Sequence, residues 1–400
     1  MEPVYLDNNA TTRTDPRVVE AMLPFFTEQF GNPSSMHAFG AEVGGAVATA
    51  RKQLQALIGA EFDHEIVYTS GGTEADNAAI LSALETQSGR DEIITSAVEH
   101  PAVLSLLAHL EKTGRAKVHI IGVDSCGRLD LEAFRQALSP RTAIVSIMWA
   151  NNETGTIFPV ERLAELAHQV GALFHTDAVQ AVGKLPIDLK STEIDMLSLS
   201  GHKLHGPKGI GALYVRKGVR FRPLIRGGHQ ERGRRAGTEN APGIIGMGKA
   251  AELAAEYMAD EQTRVAALRD RLEQGLLERI SHSFVTGDPG NRLPNTCNIA
   301  FEYIEGEAIL LLMNREGIAA SSGSACTSGS LEPSHVLRAM NVPYTAAHGA
   351  IRFSFSRDNT DADVGRVIEV MPAIIERLRE MSPFWRERDV RTAAFNPTYA

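Results

Sequence analysis

The stretch Ser200-Gly201-His202-Lys203 closes an apolar run, Met196-Leu197-Ser198-Leu199-Ser200, and places a lysine just past what reads as a short buried strand. A second run, Phe174-His175-Thr176-Asp177, ends in a carboxylate. An amine and a carboxylate at two strand ends suit one chemistry well. The amine can hold a carbonyl cofactor covalently, and the carboxylate can keep a pyridine nitrogen protonated so that the ring draws electrons from a bound substrate. Lys203 and Asp177 together therefore suggest pyridoxal phosphate (PLP). A merely solvated lysine is the plainer alternative.

Other residues fit around that pair. Gly71-Gly72-Thr73 follows a strand and opens a helix, with Asp76 three residues on. A capping box explains this spacing. So does a phosphate site, where backbone N–H groups and the Thr73 hydroxyl meet an anion at a positive helix end. Ser200 and His202 can donate to the same phosphate. His100 precedes Pro101 at a helix start, either as a cap or as a flat ring that stacks on a cofactor and exchanges protons near neutral pH. Asn151-Asn152-Glu153-Thr154-Gly155 reads as a turn or as a site that recognises a ring hydroxyl or a substrate carboxylate. Gln180, three residues past Asp177, is in reach of a ring oxygen. Arg352, inside the apolar run Ile351-Arg352-Phe353-Ser354, needs an anion: a substrate carboxylate or a structural partner.

Ser321-Ser322-Gly323-Ser324-Ala325-Cys326-Thr327-Ser328-Gly329-Ser330 has no large apolar anchor, so a mobile loop is expected there. Cysteine is usually buried as a small hydrophobe, which makes Cys326 unusual. An exposed thiol whose pKa is lowered from about 8.5 is a nucleophile. Cys126 and Cys297 have ordinary packing readings.

The elements that must position these groups alternate through about residue 260. Strands at 65–69, 93–95, 143–148, 174–177, 196–200 and 210–215 are separated by helical patterns, one following the turn Ser70-Gly71-Gly72 to about Leu84, one opening at Pro101, and one over Val160 to His168. This rhythm predicts a mostly parallel sheet covered by helices, with ligands at the strand ends. Two long helical stretches, about 244–258 and 261–279, follow Ala241-Pro242-Gly243. From Thr296 the pattern becomes strand, helix, strand, loop, strand, helix. The last helix carries Val364, Val367, Ile368, Met371, Ile374, Ile375 and Leu378 on one face. The tail from Arg386 is polar and aperiodic.

Four hundred residues suffice for two domains, and 43% hydrophobic with 22% charged residues is ordinary for a globular protein. A net charge of −9 argues against a nucleic-acid partner. Locally, 226–235 gathers four arginines and a histidine among glycines, as a solvated loop or one that grips an anion. No apolar run approaches the ~20 residues of a membrane span. Met1 to Asp7 lacks the basic start and apolar core of a signal peptide. Three scattered cysteines make no zinc pairing or disulfide framework, so a cytoplasmic location is expected.

Taken together, the segments resemble one family. Tyr5 to Thr12, Phe30-Gly31-Asn32-Pro33-Ser34-Ser35, Thr69 to Glu74, Glu99-His100, Asn151 to Gly155, His175 to Gln180, Ser200 to Gly211, Arg235-Ala236-Gly237-Thr238, Ser321 to Ser330 and Ile351 to Ser354 are similar, in order, to those of class I cysteine desulfurases of the NifS type. The resemblance implies an α/β fold of the fold-type I PLP-transferase kind, like aspartate aminotransferase. Its large domain, residues 14–260, would hold a mostly parallel seven-stranded sheet. Residues 1–13 and 261–400 would form a smaller α+β domain carrying the cysteine loop.

By the same resemblance Lys203 anchors PLP, Asp177 holds the ring nitrogen, and His100 stacks on the ring and relays protons. Asn152 and Gln180 contact ring substituents, while Gly72, Thr73, Ser200 and His202 bind the phosphate. Thr238 reaches the phosphate of the other subunit of a homodimer. Asn152 and Arg352 hold the carboxylate of L-cysteine, and Cys326 accepts its sulfur as a persulfide, leaving L-alanine. No metal is expected in the resting enzyme, although Cys326 is placed to touch a nascent iron–sulfur cluster in passing. An iron–sulfur scaffold protein is the implied acceptor. Asp7-Asn8-Asn9-Ala10 leans toward the nitrogen-fixation branch. The ending Thr398-Tyr399-Ala400 departs from the aromatic and histidine-rich tail of housekeeping relatives. A housekeeping desulfurase and an aminotransferase on the same fold are the alternatives, with a non-catalytic scaffold as a third.

Overall fold

The computed structural model describes residues 3–322 and 333–386. Strand β1 (Val4–Tyr5) leads through α1 (Pro16–Met22), α2 (Pro24–Thr27) and α3 (Ala38–Ile58) to β2 (Ile66–Thr69). There follow α4 (Gly72–Thr86), β3 (Glu92–Ser96), α5 (Pro101–Lys112), β4 (Lys117–Ile121), α6 (Leu131–Ala137), β5 (Thr142–Ser146), α7 (Val160–Gln169), β6 (Leu173–Asp177), β7 (Met196–Ser200) and β8 (Gly211–Val215).

Strands β2 to β8 form one seven-stranded sheet in the order β2-β8-β7-β6-β5-β3-β4. The run from β7 to β4 is parallel, and β8 is antiparallel to both of its neighbours. This is the mostly parallel sheet expected from the sequence. β2, β3, β5, β7 and β8 are buried at every position, as helices on both faces require, so they read as apolar runs without alternation. The carboxyl ends of β2, β3, β5, β6 and β7 share one edge, and the residues that follow them are those singled out above.

Beyond the sheet, α8 (Ala241–Asp260) passes through a π turn, Glu261–Val265, into α9 (Ala266–Arg279). Two separate helical stretches were expected here; the chain instead makes one unbroken rod. No glycine or proline stands between Asp260 and Ala266, so nothing stops the helix. The wider π turn brings both Glu261 and Val265 inward.

The remaining elements are β9 (Ser283–Val285), β10 (Thr296–Phe301), α10 (Gly306–Arg315), β11 (Ile318–Ala319), α11 (His335–Ala339), α12 (Tyr344–Ala347), β12 (Ala350–Ser354), α13 (Asp361–Met381) and α14 (Pro383–Arg386). β12, β10 and β9 make an antiparallel sheet, and β1 pairs in parallel with β11. Leu6, Leu272, Ile299, Phe301, Phe353, Val367 and Met371 lie in a core of their own. On α13, Val364, Val367, Met371, Ile374 and Ile375 are buried, as its 3.6-residue period predicts. Val336, Leu337 and Met340, by contrast, join the core under the large sheet. Segment 335–347 therefore leans on the large sheet although it lies in the C-terminal part of the chain.

Candidate active site

A cavity of about 260 Å³ opens at the carboxyl edge of the large sheet. Ten of the expected site residues line it: Gly72, Thr73, His100, Asn152, Asp177, Gln180, Ser200, His202, Lys203 and Arg352. They come from six separate stretches of sequence. Thr238 is exposed and is not part of this cavity. Cys326 lies outside the described residues.

Lys203 ends a short turn, Gly201–Lys203, directly after β7. Its Nζ donates to the carbonyl of Ala10 at 2.7 Å and to that of Asn9. Burial, and next the nearby cations Lys184 and Arg352, pull the Lys203 amine down to about 7. Its charged form is disfavoured, so near neutral pH a large share is a free nucleophile.

Asp177 caps β6, and its carboxylate accepts from the Val179 N–H at 2.9 Å. Burial raises its pKa, while His100 and Lys203 oppose that rise. Among the described residues no cation lies within ion-pair distance of it. Such a carboxylate awaits a positive partner, and a protonated ring nitrogen is one.

His100 is both a cap and a cavity residue. Its Nδ1 accepts the Ala102 N–H at 3.1 Å, so the neutral ring carries its proton on Nε2. Burial, then the Lys203 and His335 charges, lowers its pKa against the pull of Asp177.

The capping box expected at α4 is absent. No side chain caps this helix, and Gly71 sits at the cap position. Asp76 does not bond back but turns inward, its carboxylate 3.6 Å from His175 Nε2. The first turn of the helix is left open toward the cavity, with Thr73 exposed beside it. A Cβ on Gly72 would stand 2.9 Å from Val179 Cγ2, so only glycine lets the backbone approach this closely. His202, pushed down to about 4 mainly by burial, is neutral, and its Nδ1 meets the Thr11 hydroxyl at 3.1 Å.

Arg352 is 2% exposed on β12. It does have a structural anion: Nη2 donates to Asp7 at 2.8 Å, and Nη1 to the Asn152 carbonyl at 3.0 Å. Among the described residues its buried Nε has no partner. The guanidinium is thus held in place by the protein while keeping a donor to spare. In the arginine-rich loop, two of the four arginines meet carboxylates within the chain. Arg235 pairs with Glu74 at 2.9 Å and Arg226 with Glu85 at 3.1 Å, so the anions these side chains meet are the protein's own.

These surroundings fit PLP. A buried carboxylate without a counter-ion, an open helix start behind a glycine and a depressed lysine amine face one space, in the arrangement that a ring nitrogen, a phosphate and an aldehyde require. Asn9, Ala10, Met148, Ala150 and Val179 also line the cavity and escaped the residue-by-residue reading. Asn9 and Ala10 act through backbone carbonyls, which no side-chain motif reports.

A model of the aminotransferase class-V family matches residues 4–367. Over 400 residues, all of both chains, the protein is 78% identical to a cysteine desulfurase of Gluconacetobacter diazotrophicus. It is 65% identical to the cysteine desulfurase NifS of Azotobacter vinelandii over 385 residues, 96% of each chain. It belongs to the NifS-type cysteine desulfurases of the aminotransferase class-V family. These enzymes use PLP, which agrees with the chemistry of the cavity. A solved NifS-like protein, 40% identical, superposes with a TM-score of 0.88 over 94% of this chain and all of its own. Among the described residues no helix is long and apolar enough to cross a membrane, and no cluster of side chains could hold a metal ion.

Proposed function

We propose that the cavity converts L-cysteine to L-alanine and passes the sulfur to Cys326. Bound PLP supplies an electrophilic carbon and an electron-withdrawing ring. Asp177 keeps the ring nitrogen protonated, and Gly72, Thr73, Ser200 and His202 hold the phosphate. Gln180 and Asn152 face the ring substituents. Arg352, already oriented by Asp7, takes the substrate carboxylate with help from Asn152. The Lys203 amine, free to accept a proton near neutral pH, would serve the substrate α-carbon, and His100 Nε2 would hold and return a proton. The Cys326 thiolate attacks the substrate sulfur. The carbon–sulfur bond breaks, a sulfur–sulfur bond forms, and a proton restores the methyl group of alanine. Cysteine plus thiol gives alanine plus persulfide, with no outside oxidant.

The observation that carries this reading is the convergence of Lys203, Asp177 and His100 on one cavity. An aminotransferase would use the same three, and the family together with Cys326 favours desulfuration. The tether supports it too. Ser321 exchanges backbone hydrogen bonds with Arg352, and covalent geometry keeps residue 326 within about 17 Å of residue 321. Where the described chain resumes, Ser334 bonds Glu153 at 2.5 Å and His335 meets the Glu99 carbonyl at 2.9 Å. Both anchors neighbour site residues, Asn152 and His100.

The reading extends to a homodimer in which Thr238 serves the partner's phosphate. Phe26, Phe30, Met36 and Phe39, all more than half exposed, are apolar surface that a second copy would cover. Residues 14–260 would form the large domain, with 1–13 and 261–400 the smaller one. An iron–sulfur scaffold protein, in a cytoplasmic and nitrogenase-related setting, is the proposed acceptor. The test is incubation of the purified yellow protein with L-cysteine and no keto acid. Alanine and sulfide should form in equal amounts with a thiol reductant, and Cys326→Ala should abolish both. Alanine formation that depends on an added keto acid would overturn the reading in favour of transamination.

A further inference from the structure

Lys184 is 5% exposed, and burial of a lysine at this level demands a purpose. It lies behind the cavity, past the Gly183 turn, and takes no part in the chemistry described above. Its Nζ donates to two atoms of a single residue, the carbonyl and the Oε1 of Gln180, each at 3.2 Å. Gln180 in turn donates through Nε2 to the Asn9 carbonyl at 2.9 Å. That same carbonyl accepts from Lys203. The two lysine nitrogens are therefore joined by one short relay, Lys184–Gln180–Asn9–Lys203.

A second observation comes from the other side. Glu261 opens the π turn between α8 and α9 and is buried there, with its Oε2 lacking a hydrogen-bond partner among the described residues. Lys184 is the foremost cation acting on it, and Glu261 the one anion acting on Lys184. Gln262, next in the turn, donates to the Lys184 carbonyl. The irregular turn thus supplies a counter-charge and a backbone anchor at one place, as π turns at functional sites often do.

We propose that Lys184, held by the Glu261 turn, is a positioning residue for the PLP site: it fixes the Gln180 amide and sets a buried positive charge behind Lys203. Because an ammonium can only donate, it selects the Gln180 orientation with Oε1 toward itself and Nε2 toward Asn9 and the cavity. An apolar residue at 184 would leave that amide free to turn over. The charge acts on Lys203 alongside Arg352, against Asp177 and Asp7, with His100 and His202 also facing the amine. A unit charge about 10 Å away at an effective dielectric of about 20 moves a titration by about one unit. Removing it should let Lys203 hold its proton to higher pH.

This inference rests on the PLP reading, and its test separates the two. The visible absorption of the holoenzyme is titrated with pH for the parent, Lys184→Met, Lys184→Arg and the double variant Lys184→Met/Glu261→Met, which removes both charges and so leaves none unpaired. The midpoint should rise by about half a unit to one unit in both methionine variants and stay near the parent value in Lys184→Arg. Cofactor should dissociate about tenfold more readily from Lys184→Met. A midpoint unmoved in the double variant, or moved equally by Lys184→Arg, would overturn the proposal even if thermal stability fell. A parent protein with no visible band would instead refute the PLP reading itself.

Discussion

The buried Lys203 amine makes a prediction about the cofactor-free protein that involves no catalysis. In the unfolded chain this amine holds its proton up to about 10.5, and in the folded chain only to about 7. Between those values the unfolded state binds more protons, so the folded state gains stability as pH rises. At 1.36 kcal/mol per unit, the fall from 10.5 to about 7 costs the native state about 4–5 kcal/mol at pH 7 and about 2 kcal/mol at pH 9. Lys203→Met removes this penalty with little change of volume. It also strands the carbonyl of Ala10, while that of Asn9 keeps its bond from Gln180, at a cost of about 1–3 kcal/mol that does not depend on pH. The absolute effect at pH 7 is thus a difference of opposing terms, whereas its pH slope belongs to the amine. Urea unfolding of both cofactor-free proteins, followed by circular dichroism, should show the stability of Lys203→Met relative to the parent falling by about 2–3 kcal/mol between pH 7 and pH 9. A difference that stays constant over that window would refute the claim that this amine is driven toward its neutral form.

Further outcomes follow from the same geometry. Gly72→Ala puts a Cβ 2.9 Å from Val179 Cγ2 and should weaken PLP binding about tenfold, as read by equilibrium dialysis, with Val179→Ala restoring it in the double variant. Arg352→Lys keeps the charge but loses the paired donors that Asp7 and Asn152 orient, so KM for L-cysteine should rise about 10- to 100-fold with a smaller change in kcat. Asp177→Asn leaves a ring nitrogen without its counter-ion and should cost about 10²- to 10³-fold in kcat and alter the visible spectrum of the bound cofactor.

Much of the fold was legible because the buried strands announce themselves. Met196–Ser200 and Gly211–Val215 are apolar runs bounded by turn residues, and both are strands. The periodic face of α13 was equally plain. The site residues were legible where a polar side chain ends such a strand, as with Asp177 and Lys203. What escaped had no local signal. The Asn9 and Ala10 carbonyls reach Lys203 through a contact nearly two hundred residues apart in sequence, made by backbone atoms. The α4 spacing of Thr73 and Asp76 satisfied the pattern of a capping box, yet a tertiary demand prevailed, since Asp76 is needed inside beside His175. The helical rod through Glu261 hid its irregular turn because a π turn has no composition of its own. Arg352 was legible as an arginine in search of an anion, but the partner, Asp7, comes from the opposite end of the chain.

The central claim, that the ring-bearing cavity around Lys203 delivers sulfur to Cys326, is tested most directly by mass spectrometry of the holoenzyme after one turnover with L-cysteine and no reductant. The peptide that contains Cys326 should gain the mass of one sulfur atom, in step with one alanine released per active site. Alanine released while Cys326 remains an unmodified thiol would contradict the account.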